Sequence, residues 1–147
     1  MKYKLLLILS FISILSIGAN RTSPYSIIES RDSDNGKVIL TLISYCNDKK
    51  QFEKEAICDA LRIVMFEGVE TPRFKKPLLS FGESTAFRDH PEYFEDLYNN
   101  RCYDFVKNIE QQSKYSKKNG TTFTIEVDVI KLRKDLEKEN ILKHIGY

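Results

Sequence analysis

The first nineteen residues limit what the rest of the chain can build. Lys2 and Lys4 give a positive start, Leu5 to Ile17 is an unbroken run of apolar and hydroxyl side chains, and Ser16, Gly18 and Ala19 lead into polar Asn20. That order of charge, apolar run and small residues is the pattern of a secretory signal peptide, with cleavage expected near residues 18–19. The run is shorter than the roughly 20 residues a helix needs to cross bilayer hydrocarbon. Export to the periplasm or the extracellular space is therefore the expectation, with membrane contact only through this segment if it stays uncleaved. No cysteine follows the small residues to accept a lipid.

Taking residues 1–19 from a chain of 147 leaves 128, residues 20–147, enough for one domain with a core and too few for two. The charge changes as well. The chain has 23 Lys+Arg against 21 Asp+Glu, and two of the 23 are Lys2 and Lys4, so the remainder balances at 21 against 21. A neutral, evenly mixed chain lacks the clustered cations that neutralise phosphates, which argues against nucleic acid as a partner. Three cysteines remain: Cys46, Cys58 and Cys102. An oxidising compartment permits one disulfide with one thiol left over. Cys58 and Cys102, both in helical patterns, are the candidate pair, and three buried free thiols are the alternative. No Cys/His spacing suits zinc, so neither a metal nor a cofactor is expected.

Residues 32–36 (DSDNG) are dense in turn formers and end in the Asn-Gly hairpin signal, after a short edge-strand run at Tyr25–Ile28. Lys37 to Cys46 is rich in β-branched and aromatic residues and apolar on both faces, which predicts a mid-sheet strand. Asn47 or Asp48 is placed to cap a helix over 50–67, with Gln51 near the position that closes a capping box. Its apolar stripe runs through Phe52, Ala56, Ile57, Ala60, Leu61 and Val64, its wet side carries Lys54, Glu55, Asp59 and Arg62, and Gly68 ends it. A second helix is predicted from Pro91 through Ile109, then a polar loop, an alternating strand over 122–129 and a last helix marked by Leu132, Leu136 and Ile141. The expected order is β-β-α-loop-α-β-α, an α+β two-layer sandwich with a small, mainly antiparallel sheet packed by two or three helices.

Residues 69–90 differ in kind. Pro72, Pro77 and Gly82 break periodicity, and a long connection of this sort is commonly functional. Arg73, Lys75 and Lys76 supply charge and Phe74, Phe81 and Phe87 supply aromatic surface, so these six are the expected partner contacts; the aromatics could equally fold back onto the core. Gly82-Glu83-Ser84-Thr85-Ala86 echoes a nucleophile elbow, with Asp89 and His90 nearby. Ala86 replaces the second glycine, and His90-Pro91 interrupts the helix an elbow needs. His144 lies near the C-terminus, and Glu126 and Asp128 share the wet side of a strand, a pattern that solvation alone explains. No catalytic residue is assigned.

The stretch KEAICDALRIVMFEGV (residues 54–69) and the stretch TFTIEVDVIKLRKDLEKENI (residues 122–141) resemble small exported bacterial α/β domains. These occur in outer-membrane lipoproteins and at the N-terminus of the flagellar assembly protein T. Ala56, Ala60, Val127, Asp128, Val129, Leu132 and Leu136 carry the likeness. It implies an envelope-associated accessory role with a protein partner and no catalytic residues. The alternative is a secreted small hydrolase or small-ligand-binding protein with residues 69–90 as a lid.

Overall fold

The computed structural model describes residues 25–143. The signal-like segment, the start of the chain up to Pro24 and His144 lie outside the described residues. Strand β1 (Tyr25–Ser33) turns through Asp34–Gly36 into β2 (Lys37–Ser44). At that turn Asn35 and Gly36 both take positive φ, as the Asn-Gly pair predicts. After helix α1 (Phe52–Arg62) come two short helices, α2 (Glu83–Asp89) and α3 (Pro91–Asp96). Strands β3 (Val106–Gln111) and β4 (Thr121–Asp128) follow, then helix α4 (Val129–Lys138).

The four strands form one antiparallel sheet in the order β1-β2-β4-β3. The expected α+β fold is the observed one, with β2 in mid-sheet. Alternation sorts the two faces: Val38, Leu40 and Leu42 of β2 and Phe123, Ile125 and Val127 of β4 are fully buried under α1 and α4. The opposite face carries Ile39, Thr41 and Ile43 beside Thr122, Thr124 and Glu126 and has no helix layer among the described residues. Thr41 and Thr124 hydrogen bond across it at 3.1 Å.

Several boundaries depart from the pattern reading. The predicted second helix stops early. Pro91–Asp96 is α-helical, Leu97–Arg101 widens into a π-helical turn, Cys102–Phe105 tightens to 3-10, and the chain then enters β3. A bulge between Val106 and Asn108 shifts the register, so Val106 and Ile109 both pair with core positions of β4. That three-residue spacing imitates a helical stripe. Residues 69–90 are not all loop either, because α2 occupies 83–89 with Gly82 before its first turn. Only Ala86 and Phe87 make its apolar face, too little to register as periodicity.

Helix α1 starts one turn later than the capping signal suggests. Asp48 Oδ1 accepts from Lys50 N at 2.8 Å, which closes a turn before the helix, and Gln51 caps with no side-chain bond. At its other end Ile63–Glu67 is a π-helical turn closed by Gly68 N donating to Ile63 O at 2.9 Å. Every residue from Ala56 to Leu61 is buried, Asp59 included, so the expected wet side is largely covered. The covering comes from the sheet on one flank and from the turns at 97–105 on the other. Helix α4 is capped by Asp128, whose Oδ1 accepts from Lys131 N at 2.9 Å.

Candidate functional site

The segment that leaves α1 doubles back on it. Gly68 has φ +80°, and a Cβ there would lie 2.4 Å from Lys75 O, so the return strand of the loop passes directly over this glycine. Val69 N donates to Phe74 O at 2.8 Å, and Phe74 N to Thr71 Oγ1 at 3.2 Å, which closes a tight loop around buried Thr71. Leu78 N and Leu79 N then donate to Val64 O and Met65 O at 3.2 and 2.9 Å. These are carbonyls that the π-helical turn leaves open to partners. Phe74, Phe81 and Phe87 are half-buried and pack on the core, which is the fold-back option rather than a free aromatic surface. Arg73, Lys75 and Lys76 stay exposed at the tip, and among the described residues they form no ion pair.

Gly68→Ala is expected to lower stability by about 1–3 kcal/mol, from the unfavourable φ and the backbone contact. It is also expected to speed tryptic cleavage after Arg73 and Lys75. An unchanged cleavage rate would show that the tip is not held in place by this crossing.

Two cavities flank the helical side. The first, of about 620 Å³, lies between α1, α2 and the 97–101 turn and is lined by Lys54, Cys58, Arg62, Glu83, Phe87 and Tyr98 among others. Arg62 dominates it: Nε donates to Glu83 at 2.7 Å, NH1 to Asp59 at 2.9 Å, and the guanidinium lies 5.3 Å from the Tyr98 ring centroid. Burial works to lower the Arg62 pKa, but the Glu83 hydrogen bond and the nearby Tyr98, Glu83 and Asp59 charges outweigh it and raise it. Tyr98 stacks on Phe87 at 5.6 Å. Its hydroxyl is buried without a hydrogen-bond partner among the described residues, and burial pushes its pKa up.

The second cavity, also about 620 Å³, contains His90 with Tyr93, Arg101 and Asp135. Arg101 donates to Asp96 at 2.6 Å and to Asp135 at 3.1 Å, and Tyr93 Oη donates to Asp135 at 2.8 Å. Burial, helped by Asp135, pushes the Tyr93 pKa up. Every charge in this cluster has a partner, which suits a brace between α3 and α4.

The residues of the elbow-like stretch are not gathered. Ser84 lines the first cavity whereas Asp89 and His90 line the second, and Asp89 is ion-paired with its neighbour Arg88 at 2.8 Å. Glu126 accepts from Ser33 at 2.8 Å and faces Lys37 at 3.6 Å, and Asp128 caps α4, so both carboxylates are held by other groups. Cys46 Sγ donates to Asp48 O at 3.3 Å, whereas Cys58 and Cys102 are buried thiols, and Cys58 Sγ donates to Tyr98 O at 3.7 Å. Among the described residues no group of three or more His, Cys, Asp or Glu could hold a metal ion, and no helix is long and apolar enough to cross a membrane.

Arg62 with Asp59, and Arg101 with Asp135, are the polar constellations that sequence reading missed. An Asp and an Arg at i, i+3 read as an exposed pair. The one available signal was Ser44, a polar residue at an inward position of an otherwise apolar strand. No family model, no curated protein and no solved structure matches the chain.

Proposed function

We propose that the protein is exported and non-catalytic, and that it acts by binding a protein partner in the bacterial cell envelope through residues 69–90. The observation that carries this reading is the tip itself. Arg73, Lys75 and Lys76 stand exposed and, among the described residues, without ion pairs on a loop tied to the helix at both ends. A preorganised cationic patch loses little freedom on binding and steers an acidic surface towards it. The secretory pattern of residues 1–19 supplies the compartment. The likeness of residues 54–69 and 122–141 to small exported envelope domains supports an accessory role. Phe74, Phe81 and Phe87 contribute by bracing the loop rather than by direct contact.

Charge reversal at the tip, R73E/K75E/K76E, tests this. Recovery of the partner from envelope extracts is expected to fall at least about tenfold, because rim charges govern encounter and each mispaired charge adds repulsion. The thermal midpoint is expected to stay unchanged, since these side chains are exposed and make no ion pair among the described residues. K114E/K117E/K118E, in the loop between β3 and β4, serves as the control and is expected to leave recovery intact. Full recovery with the tip variant, or an equal loss with the control, would overturn the assignment.

A further inference from the structure

We propose that Cys58 and Cys102 are a modification site, a dithiol that oxidises to an intramolecular disulfide joining α1 to the 102–105 turn. The geometry is set by backbone as well as by sulfur. Cys58 Sγ lies 3.7 Å from Tyr98 O. Tyr98 belongs to the π-helical turn that runs directly into the turn carrying Cys102, so the Cys58 sulfur faces the segment that holds Cys102. The two thiols are close enough to perturb one another's protonation, and α1 packs directly on the turn that carries Cys102. Cys102 is fully buried, whereas Cys58 is 6% exposed and lines the cavity shared with Arg62 and Tyr98, so reagents reach the pair from the Cys58 side.

The pair shares its protons. The Cys58 thiol lowers the Cys102 pKa to about 7, against the burial that raises it, and the Lys54 charge helps to lower it. Cys102, with burial, pushes Cys58 the other way. One thiolate is therefore available near neutral pH.

The oxidant is a disulfide-carrying compound. The Cys58 sulfur, its proton passed to the Cys102 thiolate, attacks one sulfur of that disulfide and expels the other as a thiolate. Cys102, its proton now passed to solvent, then attacks Cys58 Sγ in the mixed disulfide and expels the second thiolate. The pair loses two electrons and two protons, and the oxidant gains the electrons and ends as two thiols. Cys46 takes no part.

Oxidation in the cell rests on the exported reading, but the chemistry of the pair does not, and the test separates them. Reduced, purified full chain is incubated with oxidised glutathione, alkylated and digested without reduction. The expected result is a linked Cys58–Cys102 peptide, Cys46 alkylated, no retained glutathione on the pair and a Tm raised by roughly 10 °C. Cys102→Ser is expected to stop at a glutathione adduct on Cys58. Glutathione retained on Cys58 of the unmodified chain, a Cys46 linkage, or both thiols left free would overturn the proposal. N-terminal processing in cells, measured separately, reads out export and leaves this result untouched.

Discussion

Asp59→Ala is expected to lower the free energy of unfolding by about 3–5 kcal/mol, the cost of breaking a buried ion pair from one side. Asp59 is fully buried on α1. Its carboxylate accepts from Ser44 Oγ at 2.8 Å and from Arg62 NH1 at 2.9 Å, which ties the sheet to the helix and the helix to the cavity. Truncation leaves the Ser44 hydroxyl, 2% exposed, with no acceptor there, and Arg62 keeps its charge with Glu83 as the remaining ion-pair partner. Buried polar groups stripped of partners account for most of such losses. Asp59→Asn keeps the volume and one acceptor oxygen, so a smaller loss of about 2–3 kcal/mol is expected. Urea unfolding followed by circular dichroism checks both. A loss below about 1 kcal/mol for the alanine variant would mean that solvent reaches the pair freely.

Phe94→Ala is expected to cost a similar amount, about 3–5 kcal/mol, through the cavity it leaves. Phe94 is fully buried at the meeting point of three segments. Its ring centroid lies 5.4 Å from Phe87 of α2, 6.0 Å from Phe66 at the end of the π-helical turn and 5.0 Å from Tyr93. The ring therefore fastens residues 69–90 to the helical layer, and its loss has a local signature as well as a global one. Amide exchange in α2 and the tip is expected to speed up well beyond the effect on β2 and β4. Phe94→Leu refills most of the space and is expected to cost no more than about 1.5 kcal/mol. Uniform exchange across all elements would show that Phe94 does not specifically hold the segment.

The legible parts of this fold are those where one physical pattern acts alone. Val38, Leu40 and Leu42 face one helix layer and Phe123, Ile125 and Val127 face the same one, so alternation reports the sheet directly. Gly68 ends the first helical stretch where its left-handed φ is needed. The misread parts are those where two patterns overlap. The bulge near Lys107 gives β3 a helix-like spacing, and α2 is too short to build a stripe. Asp59 looks like a surface residue because its i, i+3 pair with Arg62 reads as exposed, while Ser44 is joined to it only by tertiary structure. For the candidate contact surface, charge was readable and orientation was not. The cations of residues 73–76 are exposed as their chemistry demands, while the phenylalanines around them turn inward because burying a ring is worth about 1.5–3 kcal/mol.

The most direct test of the proposed role is photocrosslinking in exporting cells, with a photoreactive residue placed in turn at Arg73, at Lys76 and at Thr124 on the uncovered sheet face. If residues 69–90 are the contact surface, positions 73 and 76 give a discrete adduct with an envelope protein and position 124 gives none. An adduct from position 124 with both tip positions silent would contradict it.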